Sequence, residues 1–177
     1  MNENKELEFK KLKICILTIS SSRELSDDKS GDTLEERVLS FGHKLFERKI
    51  TKDNKDSIKE IIINWSKNKE IDVIITSGGT GLTETDVTPE ALEEIFEKTI
   101  PGFSVIFHNI SFNKIKTSTI QSRATAGILM ETFIFALPGS PSAVKDGWDE
   151  ILIYQLDSRH KPCNFVDILP RLKERVN

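Results

Sequence analysis

The chain has 177 residues, 37% of them hydrophobic and 30% charged, which is enough apolar material for one buried core and is the usual size of one domain. With 25 Lys and Arg against 28 Asp and Glu, its net charge of −3 speaks against general nucleic-acid binding, which draws on a basic surface. No apolar run approaches a membrane span, "MNENKELEFKK" has no leader-like apolar segment after it, and the two cysteines, Cys15 and Cys163, have no metal or disulfide spacing, so a cytoplasmic protein with inert thiols is expected.

Residues 1–11 read as a solvated tail. "LKICILTI" (12–19) is short, β-branched and nearly all apolar, the pattern of a buried strand. It opens into the polar loop "SSSRELSDDKSGD" (20–32). A helix follows, with a capping-box pattern at Asp32 and Glu35, Leu34 and Val38 on one face, and Gly42 as the stop. Residues 43–50 read as a weaker strand around Leu45, Phe46 and Ile50. Ile58, Ile61, Ile62 and Trp65 then recur at helical spacing, with lysines and glutamate on the opposite face. "IDVIITS" (71–77) is a second buried strand. "TPEALEEIFE" (88–97) opens a helix in which Thr88 is a candidate cap and Pro89 the first helical residue.

Beyond Pro101 the spacing predicts a helix over 101–112, a short helical turn running into a strand over 117–129, and a buried strand at "TFIFALP" (132–138). Val144, Trp148, Ile151 and Leu152 form one stripe of a helix over 142–156, and the remainder is a tail that packs back or extends. Alternating strands and helices predict an α/β fold around a mainly parallel sheet, in a single domain spanning 1–177 with flexible tails at 1–11 and about 171–177.

Two strands run into glycine-containing turns that precede helices: "IITSGGTGLTETDVTPEA" and "FIFALPGSPSAV". In a parallel sheet ligands bind outside the carboxyl ends of the strands, and glycine there lets a ligand come within hydrogen-bond distance of backbone amides. Successive amides bind an anion without any lysine. Neither standard phosphate motif is present: Gly81 is followed by Leu82 and Thr83 rather than Lys-Ser/Thr, and Glu84 stands where a dinucleotide fingerprint needs its third glycine. The "PGSP" turn is equally well an ordinary connection, whereas three glycines in "GGTG" beside Asp86 favour a ligand site.

Asp86 is either a helix-start acid or a ligand for a divalent cation beside a bound phosphate. Asp53, at the end of the second strand, is the second candidate, with helix capping by Asp53 or Asn54 as the competing role. Parallel strands would bring 20–32, 51–54 and 78–88 to one edge. His43, His108 and His160 are scattered and read as non-catalytic, Ser140 reads as a cap more than a ligand contact, and Arg123 either binds an anion or pairs with an acid. No protein nucleophile is evident.

In order along the chain, "SGGTGLTETDVTPEA", "PGFSVIFHNISF", "TSTIQSRATAG", "FIFALPGSPSAV" and the tail "QLDSRHKPCNF" resemble the MoaB/MogA family of molybdenum-cofactor biosynthesis, and the tail its MoaB branch, over about residues 12–170. The resemblance implies a three-layer α/β/α fold and molybdopterin adenylyltransferase activity, in which molybdopterin attacks ATP with Mg²⁺ present, releasing pyrophosphate. It implies a homo-oligomer, trimer or hexamer. It carries the glycine loop onto Ser77, Gly78, Gly79, Thr80 and Gly81, the catalytic and metal-side acids onto Asp86 and Asp53, and the second ligand loop onto Pro138, Gly139 and Ser140. Two positions depart: Ser21 stands where the family often has an acid, and Thr85 where it often has arginine, which bears on turnover more than on binding. Beside the enzyme stand a molybdopterin-binding protein without efficient catalysis and an oligomeric assembly subunit. A Cβ at Gly79 is expected to block the ligand's approach.

Overall fold

The structure, a computed structural model, describes residues 6–172. One six-stranded mixed sheet runs through the molecule in the order β2-β1-β3-β6-β5-β4. Its strands are β1 (Lys13–Ile19), β2 (Lys44–Thr51), β3 (Val73–Ser77), β4 (Lys98–Thr99), β5 (Thr125–Leu129) and β6 (Thr132–Leu137). β2, β1, β3 and β6 are mutually parallel, while β5 runs antiparallel to both β6 and β4. The turn from Leu129 to Thr132 is too short for a crossover helix, so β5 and β6 form a hairpin.

The apolar runs at 12–19, 71–77 and 132–138 are strands because both faces of this sheet are covered. Ile14, Ile16, Val73, Ile75, Phe133 and Phe135 face one buried layer, closed by α1 (Lys29–Phe41), α4 (Pro101–Ile115) and α5 (Pro141–Gly147). Cys15, Leu17, Ile74 and Ile134 face the other, closed by α2 (Lys55–Lys67) and α3 (Thr88–Glu93). The expected stripe of α2 puts Ile58, Ile62 and Trp65 in that second layer, with Ile61 packed at its edge. Burial pushes the Cys15 thiol up to about 12, and both cysteines are free, Cys15 buried and Cys163 exposed.

Several local expectations are corrected by long-range partners. α1 starts four residues earlier than the Asp32 cap predicts: Asp28 is the cap and accepts from the Gly31 N–H at 3.0 Å. Asp32 and Glu35 instead hold the guanidinium of Arg48, each at 2.8 Å. Gly42 does end α1, with φ +104. Thr88 does not cap α3. It is buried, and its hydroxyl donates back to the Gly78 carbonyl at 2.9 Å. The helix expected over 142–156 is interrupted by a π turn at Trp148–Leu152 before α6 (Ile153–Gln155).

The chain after α6 packs back: Phe165 lies 4.8 Å from Phe133 and 5.5 Å from Phe135, ring centre to ring centre. The expected N-terminal tail is tied down before β1. Phe9 packs against His43 with ring centres 5.1 Å apart, and Ser158 Oγ donates to the Glu8 carbonyl at 2.8 Å. The C-terminal tail expected from about 171 begins inside α7 (Leu169–Leu172). Residues 1–5 and 173–177, the rest of the expected tails, lie outside the described residues.

Candidate active site

Because four neighbouring strands are parallel, the loops leaving their carboxyl ends meet at one edge and enclose a cavity of about 600 Å³. β1 contributes Ser20–Arg23, β2 contributes Asp53, β3 contributes Gly78–Gly81 with Thr85 and Asp86, and β6 contributes Gly139 and Ser140. The convergence expected from topology is therefore met. Among the described residues, no histidine lines this cavity.

The first glycine turn tolerates no side chain at its tightest points. Gly78 has φ +106, and a Cβ there would stand 2.2 Å from the Ile19 carbonyl oxygen. Gly79 has φ +63, and a Cβ there would stand 2.3 Å from Thr88 Oγ1. A side chain at Gly79 therefore also collides inside the protein, a second way in which that substitution disturbs the turn. The two glycine turns also touch each other: a Cβ on Gly139 would lie 3.0 Å from the Gly78 Cα.

Neither candidate acid caps a helix. Asn54 caps α2, accepting from the Ser57 N–H at 3.0 Å, which leaves Asp53 to the cavity. Asp53 Oδ2 accepts from Ser21 Oγ at 2.7 Å, while the Asp53 N–H donates to the same hydroxyl at 3.2 Å. Ser21, at the departing position, thus orients the acid. The N-cap of α3 is Val87, not Asp86. Asp86 Oδ2 accepts from Thr83 Oγ1 at 2.6 Å and from the Thr83 N–H at 3.0 Å. Burial alone would raise the Asp86 pKa. Hydrogen bonds from Thr83 and the Gly81 N–H, with the charge of Arg123, outweigh it and hold the carboxyl below the ordinary aspartate range. Thr85, the other departing position, shares its hydroxyl with Thr83 at 3.1 Å.

The remaining predicted residues divide. Thr80 and Gly81 line the cavity, and Ser140 both lines it and caps α5, accepting from the Ala143 N–H at 3.2 Å. Ser77 and Pro138 do not line it. Ser77 is fully buried and donates to Ser30 Oγ at 3.2 Å. Arg123 fastens the glycine loop from behind. Its Nε and Nη2 donate to the carbonyls of Gly81 and Asp86, both at 2.7 Å, its backbone N–H donates to the Thr80 carbonyl at 3.0 Å, and its guanidinium pairs with Glu90.

Sequence reasoning missed Arg23 and the buried carboxylate behind it, Asp28. Asp28 accepts from Thr18 Oγ1 at 2.7 Å, from Ser30 Oγ at 3.1 Å and from Arg48 Nη2 at 2.9 Å. The available signal for Arg23 was its place in the loop that leaves a buried parallel strand. Among the described residues, no group of three or more His, Cys, Asp or Glu gathers as a metal cage. Asp53 and Asp86 reach the cavity from separate loops, and carboxylate oxygens are donors of the kind Mg²⁺ takes alongside phosphate and water.

This fold and this edge define an α/β protein whose candidate site is a cavity lined by two glycine turns and two acids. A family model described as "Probable molybdopterin binding domain" matches residues 15–158. Molybdenum cofactor biosynthesis protein B of Escherichia coli K12 is 42% identical over 158 residues, covering 89% of this chain and 93% of the relative. A protein of Methanocaldococcus jannaschii named "Probable molybdopterin adenylyltransferase" is 39% identical over 144 residues, covering 77% of this chain and 85% of its own. A crystal structure of molybdenum cofactor biosynthesis protein B superposes with a TM-score of 0.84 at 33% identity, covering 94% of this chain and 98% of that one. The chain belongs to the MoaB/MogA family of molybdenum-cofactor biosynthesis, in its MoaB branch.

Proposed function

We infer that the protein is a molybdopterin adenylyltransferase working with ATP and Mg²⁺. The observation that carries this reading is the meeting of two glycine turns and two non-capping aspartates, Asp53 and Asp86, in one cavity. The terminal phosphate oxygen of molybdopterin attacks the α-phosphorus of ATP. The new P–O bond forms as the bond to the β-phosphate's bridging oxygen breaks, and pyrophosphate leaves. The substrate supplies the nucleophile, so the protein needs none.

Such a reaction is accelerated by positioning and by groups aimed at the phosphoryl oxygens. The amides of Gly79 and Thr80 are suited to hold those oxygens, while those of Gly78 and Gly81 donate to the Leu137 carbonyl and the Asp86 carboxylate. Asp86 and Asp53 would hold the Mg²⁺, which neutralises phosphate charge when bound. Ser21 and Thr83 keep the two carboxylates oriented, and Arg123 keeps the loop that carries Asp86 in place.

A homo-oligomer, trimer or hexamer, fits the outer face of α4, where Val105, Ile106, Phe112 and Ile115 are exposed. No helix among the described residues is long and apolar enough to cross a membrane, and a cytoplasmic setting accords with two free cysteines.

Purified protein incubated with molybdopterin, ATP and Mg²⁺ should yield adenylylated molybdopterin by mass spectrometry, and Asp86→Asn should not. Undiminished turnover in that variant would sink the assignment. Binding of molybdopterin with no product from the native protein would favour the carrier reading.

A further inference from the structure

Among the described residues that line the cavity, Arg23 alone carries a positive side chain. It is half-buried, and among the described residues the two hydrogen bonds of its guanidinium go to neutral oxygens. Nη1 donates to the Gly139 carbonyl at 3.0 Å and to Ser30 Oγ at 3.3 Å. The nearby buried carboxylate does not neutralise it, because Asp28 is already paired with Arg48 at 2.9 Å. Asp28 instead fixes Ser30, accepting its hydroxyl at 3.1 Å, and Ser30 in turn steadies Arg23. A partly desolvated guanidinium without an acid among its bonded partners is a receptor for an anion.

The acids and the guanidinium stand beside different turns of the cavity. Asp53 Oδ1 lies 3.3 Å from the Cβ position of Gly79, and Asp86 Oδ2 lies 2.6 Å from that of Gly81, both in the turn after β3. Arg23 Nη1 lies 3.8 Å from the Cβ position of Gly139, in the turn after β6. An acid pair suits a phosphate chain that arrives with a divalent cation. A phosphate that arrives without one needs a guanidinium, whose fork matches two phosphate oxygens.

We propose that Arg23, latched by Gly139 and Ser30, binds the phosphate monoester of the pterin substrate and holds it beside the turn after β6. This rests on the adenylyltransferase reading for the identity of the ligand. It makes Arg23 a substrate-binding residue whose effect falls on one substrate only.

The test is calorimetry on the full chain, with molybdopterin in the absence of ATP and with Mg-ATP in the absence of pterin. Arg23→Ala should weaken molybdopterin binding about tenfold to a hundredfold while Mg-ATP binding changes by less than about twofold, the effect of removing one charge-assisted contact. Arg23→Lys keeps the charge and loses the fork, so it should fall between the two. Its melting temperature, compared with that of the native protein, reports any loss of loop structure separately. Equal weakening of both ligands overturns the assignment of Arg23 to the pterin end, and unchanged molybdopterin binding overturns its phosphate role altogether. Should the native protein bind no molybdopterin, the adenylyltransferase reading fails by that result. Inorganic phosphate then decides the role of Arg23: weaker phosphate binding in Arg23→Ala supports it, and equal binding overturns it.

Discussion

Asp28 and Asp86 belong to the same edge of the sheet and share much of their chemistry. Each accepts from a threonine hydroxyl and from backbone N–H groups, and each is held below the ordinary aspartate range. For both, burial is the largest influence and pushes upward, and for both the hydrogen bonds overcome it. They differ in who neutralises them. Asp28 is 0% exposed and has its own guanidinium in Arg48. Asp86 lines the cavity, and the hydrogen bonds to its carboxylate come from its own loop. A carboxylate satisfied by a buried cation serves the fold, whereas one that lines the cavity is the one to which the proposed function gives a metal.

The largest effect that would test this contrast is on turnover. Asp86→Asn should lower adenylylation about a thousandfold, roughly 4 kcal/mol of transition-state stabilisation, with stability changed by less than about 1 kcal/mol. Steady-state rates and urea unfolding of the same preparation check both halves of that statement.

Next is Asp28→Ala, which removes the α1 cap and strips Arg48 of its buried partner. It should cost about 3 kcal/mol of stability by urea unfolding. A variant as stable as the native protein would erase the distinction drawn between the two acids. The same pair of proteins gives a pH test with a definite sign. A depressed folded pKa means that Asp28 stabilises fully above its unfolded value of about 3.9 and loses that contribution as pH falls through the folded value. The stability gap between native protein and Asp28→Ala should therefore be constant near neutrality and shrink below about pH 4, measured as unfolding midpoints across an acid series.

The smallest effect is at Thr83, which orients Asp86 through a 2.6 Å hydrogen bond. Thr83→Ala should slow turnover by about tenfold or less, near 1 kcal/mol, while binding of molybdopterin in the absence of ATP stays unchanged. Loss of pterin affinity in that variant would mean that this loop serves the pterin as well as the nucleotide.

Much of this molecule was legible in short stretches of sequence. The apolar runs at 12–19, 71–77 and 132–138 could be read as strands covered on both faces, and the recurrence from Ile58 to Trp65 as a helix, because those periodicities are local properties of the chain. The glycine turns were legible for the same reason, since a positive φ or a close backbone approach demands glycine at a fixed place. Tertiary structure decided the partners of the polar side chains. It moved the α1 cap to Asp28, sent Ser77 inward to Ser30, turned Thr88 back to Gly78, and gave the capping role to Asn54 so that Asp53 faces the cavity. It also ran β5 against its neighbours and set Arg23 beside Gly139, 116 residues further along the chain. A backbone pattern is written over a few successive residues, but a hydroxyl or a guanidinium takes whichever oxygen the completed fold brings within 3 Å or so.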